Sequence, residues 1–428
     1  MSTNNILILF VMLFFISATC NNPSTGRKTT EPPVRVEPVL ISQLGKEHFG
    51  NAVYRNGLSG PVIAISGNRI LEFSISQYAT GSEVVPPTTG RYCNGACSFD
   101  VNNDGIDEMV VGRTVENNGT NLIWYEEVAG QRHWKEHLIA NVKTMEGDAE
   151  KGFHDIIPYE LNISGTKVKG VAVVTSRKRL YWFQINEDPA EPWKEHLIYD
   201  LSKFTGNVQS GLVSGDLSGD GKPDLICGNL WAECPDDPFT GQWKVHRYSN
   251  WDQRTIPDYP GVPAWVRNER FGGMNQLEVG DLNNDGEPEI IAAEAEIPDA
   301  RLGVFHRVAK DTAAAWNEIL LDSALYCPHS LVAADVNSDG MTDIIAGEMA
   351  AGGWMFPRNP NPSLYLYLNL GNLNFSRHVL HEGWGVHMMQ KTLFQPGDRL
   401  FIFAADEIQS WYEDMNTNLV GWYVSSQK

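Results

Sequence analysis

Short apolar runs of strand length alternate with polar turns along most of the chain, and an acidic motif recurs in those turns. One copy reads Asp335-Val-Asn-Ser-Asp-Gly-Met-Thr-Asp343 and is followed by an apolar run over residues 344–348. Asn and Asp side chains cap their own backbone in tight turns and Gly supplies a positive φ, so each copy predicts a hairpin between two strands. Similar copies begin at Asp100, Asp216 and Asp281.

The spacing of these copies predicts an internal repeat. The gap between Asp100 and Asp216 is about twice the others, so a degenerate copy is expected in between, at Glu160-Leu-Asn-Ile-Ser-Gly. The same period predicts further degenerate copies at Tyr54-Arg-Asn-Gly and around residues 393–398. The chain then contains seven repeats, each of about 56 residues, over residues 36–428.

A second marker, an aromatic residue usually followed three positions later by His, ends most repeats. Its copies start at Trp134, Trp193, Trp243, Trp316 and Phe375. We expect these segments to be outer strands that pack repeat against repeat, with the His bonded to a backbone carbonyl. Each repeat then holds four strands, which predicts an all-β fold, a seven-bladed β-propeller of four-stranded blades. The last strand, at Val420, is expected to close the ring together with the segment that follows Arg35.

The formal net charge of -20 argues against nucleic acid or an anionic membrane surface as the main partner. An anionic ligand would have to be held by local arginines. We expect a monomer.

The first residues predict export. Residues 6–19 are almost wholly apolar and end at Cys20, which is typical of a bacterial lipoprotein signal over residues 1–20; ordinary secretion and a membrane anchor are the alternatives. Residues 21–35 are predicted to be a flexible tether and residues 36–428 the propeller, in the periplasm or at the outer-membrane surface. Cys227 and Cys234 are predicted either to pair or to be buried thiols.

The acidic loops before Ile-Ile or Val-Val resemble the FG-GAP or VCBS repeats of integrin-type propellers. These loops could hold structural Ca²⁺ through carboxylate and amide oxygens. The candidate ligands are Asp100, Asn102, Asp104, Asp216, Asp220, Asp224, Asp281, Asn283, Asp285, Asp335, Asn337, Asp339 and Asp343.

Inner strands line the channel of a propeller, so the residues at their start should ring one mouth of it. The positions six residues before the leading acidic position of each repeat are all polar: His48, Asn94, His154, Ser210, Asn275, His329 and His387. A hydrated plug of the channel is one interpretation. An acid-base site is the other, because buried imidazoles reduce stability unless they are used.

The ends of the second strands should reach the same face. They supply Arg113, Arg177 and Trp231, and the long loop before the fifth inner strand adds Arg267 and Arg270. Arginines beside aromatic rings suit a carboxylated sugar, since a guanidinium can bind the carboxylate in a bidentate manner.

With its lipoprotein-like leader, the chain also resembles the propeller enzymes that attack the L-rhamnose-α-1,4-D-glucuronate linkage at the ends of arabinogalactan side chains. This resemblance implies an α-L-rhamnosidase in which His48 is the single catalytic histidine, an exception to the usual pair of carboxylates. The alternative is a uronate lyase, with His154 or His329 as the base and Arg113, Arg177 or Ca²⁺ neutralising the substrate carboxylate. A non-catalytic glycan-binding propeller is the third hypothesis.

Overall fold

The computed structural model is built from β-strands. It describes residues 33–75, 81–88, 90–115, 119–142, 152–175, 179–201, 211–256, 261–262, 270–271, 273–308, 315–350, 356–394, 399–405 and 416–427. Among these residues there is no α-helix, and no helix is long and apolar enough to cross a membrane. The signal sequence, Cys20 and most of the predicted tether lie outside the described residues.

The strands form seven antiparallel sheets of four strands, each sheet one blade. Blade one contains β2 (Asn51–Gly57), β3 (Gly60–Ser66), β4 (Ile70–Ser74) and β5 (Ser82–Val85). Blade two contains β6 (Arg91–Phe99), β7 (Glu108–Val115), β8 (Gly119–Glu126) and β9 (Lys135–Val142). Blade three contains β10 (Phe153–Ile163), β11 (Thr166–Thr175), β12 (Arg179–Gln184) and β13 (Lys194–Asp200). Blade four contains β14 (Leu212–Gly215), β15 (Asp224–Cys227), β16 (Leu230–Glu233) and β17 (Lys244–Arg247). Blade five contains β20 (Met274–Gly280), β21 (Glu289–Glu294), β22 (Ala300–Arg307) and β23 (Trp316–Leu325). Blade six contains β24 (Pro328–Ala334), β25 (Asp343–Glu348), β26 (Ser363–Asn369) and β27 (Phe375–Glu382). Blade seven contains β28 (His387–Phe394), β29 (Arg399–Ala405), β30 (Thr417–Ser426) and β1 (Val34–Gly45), and a separate two-stranded ribbon is formed by β18 (Arg254–Thr255) and β19 (Arg270–Phe271).

The two ends of the chain close the ring. The first strand, β1, is the outermost strand of blade seven and pairs antiparallel with the last strand, β30, from Val34 opposite Ser426 to Gly45 opposite Thr417. The inner strands β2, β6, β10, β14, β20, β24 and β28 contact one another in sequence and return from β28 to β2. The predicted seven-bladed propeller and its closing strand pair are therefore confirmed.

The degenerate repeats also form hairpins. Glu160 lies near the end of β10, and the turn at Ser164 and Gly165 follows it with φ values of 51° and 83°. In blade one, Tyr54 lies on β2, which ends at Gly57 and pairs with β3 after a short turn. The strands on both sides of residues 395–398 are paired as well, although those four residues lie outside the described part.

Buried apolar side chains fill the seams between blades. Among the described residues they form seven clusters, and each cluster joins two neighbouring blades. A strand such as β25 is buried along its whole length because both of its faces contact a neighbouring blade. This is why the second strands are continuous apolar runs rather than alternating ones.

For the aromatic-x-x-His segments, the predicted packing between blades is confirmed, but the predicted partner of the His is wrong. The backbone N–H of Trp134 donates to Val84 O of the preceding blade at 2.9 Å, which confirms packing between blades. The expected backbone partner of the His is wrong, since His137 stacks on Trp124 of the adjacent strand, with ring centroids 4.0 Å apart, and its Nε2 lies 2.7 Å from Glu126 Oε2.

Two other blades repeat this arrangement. His196 stacks on Trp182 and bonds Gln184, and His246 stacks on Trp231 and bonds Glu233. In each of the three blades the partner of the His (Glu126, Gln184 or Glu233) lies two residues after the Trp, so the two side chains are on the same face of the sheet.

The cysteine alternatives are resolved in favour of thiols. Cys97, Cys227, Cys234 and Cys327 are buried thiols and not members of disulfides. Burial raises the pKa of Cys234 to about 11, so this group is inert as a nucleophile at neutral pH.

Candidate functional site

The positions predicted to ring the channel mouth coincide with β-bulges. His154, Asn275 and His329 are each the extra residue of a bulge in the inner strand of their blade. The backbone of Asn94 lies within a wider irregularity of β6, and the irregularity in β28 begins directly after His387. A bulge redirects a side chain from the pleat, which brings the rings of His154 and His329 towards each other instead of into a seam.

Three of the histidines meet at the centre although they come from different blades. The rings of His329 and His387 stack with centroids 4.2 Å apart and 17° between their planes. The ring of His154, from blade three, lies 6.3 Å from that of His329, from blade six. His329 and His387 are 0% and 1% exposed, whereas the side chain of His154 keeps 18% of its surface exposed.

Each of two facing imidazoles has a carboxylate beside it. His154 Nδ1 lies 2.7 Å from Asp155 Oδ2, and Asp155 is itself buried. Across the channel, His329 Nε2 lies 3.5 Å from Glu296 Oε1, and Gln276 Nε2 lies 3.1 Å from His329 Nδ1. When Nδ1 of His154 donates to Asp155, the neutral ring carries its lone pair on Nε2, the form that a general base requires.

The backbone around this cluster adopts conformations that L-residues rarely take. Glu296, Cys327 and Met388 have φ values of 61°, 48° and 52°. Glu296 belongs to the cluster, Met388 follows His387, and Cys327 lies two residues before His329. Left-handed backbone at non-Gly residues costs roughly 1–3 kcal/mol each and is commonly retained at functional sites.

Two predicted substrate-binding residues contact other strands of their own blades. Arg113 forms a bidentate ion pair with Glu136 at 2.8 Å and also donates to Tyr125 Oη. Trp231 is not at the end of a second strand: it lies on the third strand, β16, and is 1% exposed beneath His246. The hydrogen-bond partners of Arg113 and the ring stacked on Trp231 lie on the third or fourth strand of their own blades.

Other predicted residues can be placed only in part. Arg177, Ser210 and Arg267 lie outside the described residues, as do the side chains of Asn94 and Arg270. Asn275 is half-buried next to Gln276.

His48 lies in the loop before β2, and contacts of its two neighbours in the sequence fix this loop. It is half-buried, and its neighbour Phe49 is fully buried. Glu47 pairs with Arg69 at 2.8 Å, while its carbonyl accepts a hydrogen bond from Thr417 Oγ1 at 3.3 Å.

The ribbon β18–β19 lies next to the cluster on the blade-five side. Arg254 on this ribbon contacts the Glu294 carboxylate at 3.4 Å and donates to Asp299 O at 2.5 Å. Both acceptors flank Glu296 in the sequence, so the ribbon is on the same face of the propeller as the mouth. The backbone of Arg270 lies on this ribbon, opposite Thr255.

The acidic loops lie at the other end of the inner strands and are closed by their own hydrogen bonds. In the loop that begins at Asp335, its two carboxylate oxygens accept N–H bonds from Asp339 and Gly340 at 3.1 and 2.8 Å. The last residue, Asp343, accepts N–H bonds from Val336 and Asn369. The loops at Asp100, Asp216 and Asp281 repeat the first pattern.

These bonds bear on the predicted Ca²⁺ ligands. Their oxygens are of the type that Ca²⁺ prefers, yet within the described ranges no group of three or more His, Cys, Asp or Glu is arranged to hold a metal. Burial raises the pKa of Glu108 and Glu289, the last residues of two loops, to about 7. Ca²⁺ binding by these loops stays a prediction.

Sequence reasoning missed three members of the cluster. Asp155 directly follows His154, so a His-Asp pair at the start of an inner strand was the available signal. Gln276 is one residue beyond the counted position, because the bulge at Asn275 shifts the register by one. Glu296 lies two residues after Glu294, beyond the end of β21, and no sequence period points to it.

Comparisons with known proteins agree with the fold and go no further. The crystal structure of Sqt1 from Chaetomium thermophilum is similar over 92% of this chain and 100% of its own, with a TM-score of 0.51 and 9% identity. YCF48 from Cyanidioschyzon merolae matches over 91% and 98% with a TM-score of 0.47 and 13% identity. A putative oxidoreductase (glucose dehydrogenase) from Thermus thermophilus matches over 91% and 99% with a TM-score of 0.39 and 12% identity.

No family model matches the chain. No curated protein matches it either. The fold and the site together define a seven-bladed β-propeller with an acidic, histidine-rich centre at the start of its inner strands. Its likeness to FG-GAP or VCBS repeats rests on the acidic loops alone.

Proposed function

We propose that the protein is a carbohydrate-active enzyme that cleaves a uronate linkage by β-elimination, with the histidine cluster as its acid-base centre. The observation that carries this proposal is the pair of carboxylate-imidazole units, His154 with Asp155 and His329 with Glu296, which face each other across the channel. The substrate class comes from the resemblance to enzymes of the rhamnose-glucuronate linkage.

The separation of the two imidazoles suits this chemistry. Elimination requires a base at the carbon beside the carboxylate and an acid at the oxygen on the next carbon. Each imidazole nitrogen must come within about 3 Å of its target atom. The two ring centroids are 6.3 Å apart, which matches two neighbouring substituents of one sugar. His154 keeps 18% of its side chain exposed, whereas His329 is 0% exposed, so the proposal requires the His329–His387 stack to open when the sugar binds.

The proposed elimination moves one proton at each end of the bond that breaks. Nε2 of His154 takes the proton from the carbon beside the carboxylate, and the electron pair left on that carbon forms a double bond to its neighbour. The bond from that neighbour to the glycosidic oxygen breaks, and His329 donates a proton to the leaving oxygen. The products are an unsaturated uronate and a free alcohol, which is rhamnose in the predicted substrate.

The substrate carboxylate needs a positive charge to stabilise the developing negative charge. Arg113 is held by Glu136 in a bidentate pair at 2.8 Å, whereas Arg254 contacts Glu294 at the longer distance of 3.4 Å, so we assign this role to Arg254. With a net charge of -20, the protein needs such local cations to bind an anionic glycan at all.

The second candidate is hydrolysis of the same linkage by His48, which the bracing of its loop by Glu47, Phe49 and Thr417 favours. In that reaction water is added, and no double bond forms. Under either proposal the chain is an exported lipoprotein that acts on glycans outside the cytoplasm.

A set of single variants tests the proposal. The wild type, His154→Gln, His329→Gln and His48→Gln are incubated with a rhamnose-capped glucuronate glycan, and near-ultraviolet absorbance and free rhamnose are followed. We expect absorbance to rise with the wild type and with His48→Gln, and its rate of rise to be at least about 100-fold lower with the other two variants. Loss of rhamnose release in His48→Gln alone, without ultraviolet absorbance, would establish hydrolysis instead. Binding without any product would establish a glycan-binding propeller.

A further inference from the structure

Two guanidinium groups share one buried carboxylate beside the histidine cluster. Glu294 ends β21, and its side chain is 1% exposed. Arg301 on β22 and Arg254 on the ribbon both pair with it. Among the residues that the structure describes, no other carboxylate pairs with either guanidinium, and Glu296 faces His329 instead. Two positive charges and one negative charge leave an excess of one positive charge here.

The two arginines are held unequally. Arg301 donates to Glu294 through its backbone N–H at 2.9 Å and through its guanidinium at 2.7 Å, and this guanidinium stacks on Trp251 at 4.3 Å. Arg254 reaches the same carboxylate at 3.4 Å, and its shorter bond is to the neutral carbonyl of Asp299. Well-formed pairs of guanidinium and carboxylate have distances of about 2.7–2.9 Å. Arg301 is therefore the fixed counter-ion, and Arg254 is the cation that can exchange partners.

The fixed counter-ion decides whether Arg254 can leave. A buried carboxylate that loses its only cation is strongly destabilised, because it has also lost its hydration. If Arg254 were the one partner of Glu294, it could not turn to a substrate without this loss. Because Arg301 stays bound to Glu294, Arg254 can form with a sugar carboxylate the short bidentate pair that it lacks in the resting protein.

We infer that Arg301 is a positioning residue which, by neutralising Glu294, makes the site specific for a carboxylated sugar over a neutral one. Arg301 acts through Arg254, which binds the carboxylate. The inference rests on the proposed function for the identity of the sugar, a glucuronate. The excess charge is a property of the resting protein, so binding tests it without turnover.

Two small probes test the inference, methyl glucuronide and methyl glucoside, which differ by a carboxylate in place of a hydroxymethyl group. Calorimetry gives the dissociation constant of each. The wild type should bind the glucuronide at least about 10-fold more tightly than the glucoside. Arg254→Gln and Arg301→Gln should both abolish this preference. In Arg301→Gln the preference is lost although Arg254 is present, because Glu294 then holds Arg254 as its only cation.

Three variants separate the charge from a purely structural role. Arg301→Lys keeps the charge and should keep the preference. Glu294→Gln keeps an acceptor oxygen but removes the competing carboxylate, so it should bind the glucuronide about 3-fold or more tightly than the wild type. The double variant Arg301→Gln with Glu294→Gln restores an excess of one positive charge and should regain the wild-type preference. If these residues only hold the fold, the last two variants bind the glucuronide more weakly.

The matched control is Arg377→Gln. Arg377 also lies over an aromatic ring, that of Tyr365 at 4.0 Å, and its Nε lies 3.1 Å from the carboxylate of Asp322, whose side chain is 7% exposed. Both members of this pair lie on the outer strands β23 and β27. The variant removes the same charge from the whole protein, so both dissociation constants should stay unchanged.

Several results would overturn the inference. These are equal affinity of the wild type for both probes, an unchanged preference in Arg301→Gln, and a lost preference in Arg377→Gln. The expected binding without any unsaturated product would retain the inference and refute elimination. If elimination occurs, Arg301→Gln should raise KM at least about 10-fold and change kcat by less than about 3-fold, because Arg254 still holds the carboxylate of the bound substrate.

Discussion

Replacing Arg55 with Ala should remove about 3–5 kcal/mol of the free energy of unfolding. Arg55 is fully buried in the seam between blades one and two. Its guanidinium bonds Glu72, Glu127 and Asp107 O at 2.8 Å each and stacks over Trp134 at 4.3 Å. The change leaves two largely buried carboxylates without their cation and empties the space above the Trp134 ring.

The matched control is Arg69→Ala. Arg69 also bonds two carboxylates, Glu47 at 2.8 Å and Glu83 at 3.0 Å, but its side chain is 33% exposed. Water screens such pairs, so this variant should lose only about 1 kcal/mol. Urea unfolding followed by tryptophan fluorescence measures both. Equal losses in the two variants, or a loss below about 1 kcal/mol for Arg55→Ala, would refute the argument that burial decides the contribution.

The same pair of variants predicts a pH dependence. Burial raises the pKa of Glu72, and the charge of Arg55 opposes that rise. Without Arg55 this pKa rises further, so the folded variant binds a proton that the unfolded chain does not. A raised carboxyl pKa contributes stability that is present at low pH and is lost as pH rises through the folded value. Arg55→Ala should therefore be less destabilised at pH 5 than at pH 8, whereas Arg69→Ala should show little difference.

Three further predictions concern the loops, the markers and the site. Burial raises the pKa of Glu108 and Glu289 to about 7, so the free energy of unfolding should fall as pH rises from 5 to 8. The double variant Glu108→Gln with Glu289→Gln should reduce that fall by about 1–3 kcal/mol in thermal melts. An unchanged dependence on pH would contradict this prediction. Ca²⁺ added to chelator-treated protein at pH 8 should raise the melting temperature if the loops bind it, and Mg²⁺ serves as the control; equal melts would exclude structural Ca²⁺. Asp155→Asn should slow elimination by about 100-fold or more and alter its pH profile, while His137→Ala should leave the rate unchanged and cost about 1–2 kcal/mol in the same melts.

The fold could be predicted because its periods are local. The acidic turn, the apolar second strand and the aromatic-x-x-His strand recur in order, and each is set by turn geometry or by burial between two blades. Even the degenerate hairpin at Glu160 followed from spacing alone. The partner of His137 did not, because Glu126 lies on another strand and only cross-strand register brings the two together.

The site was predicted in part for the same reason. Counting back from the acidic loops found His154, His329 and His387, since each occupies the same height of its inner strand. Glu296 could not be found in this way, because it depends on a loop conformation with positive φ. Arg113 was expected at the mouth because it ends a run of apolar residues, but its side chain turns to Glu136 on the outer strand.

The most direct test of the central claim is the mass of the product formed from a rhamnose-glucuronate oligosaccharide. If His154 and His329 carry out elimination, the uronate-bearing product is lighter than the saturated uronate by one water and absorbs in the near ultraviolet. The same product must be missing with His154→Gln. A saturated uronate of full mass, released together with rhamnose, would contradict the account and assign the reaction to hydrolysis.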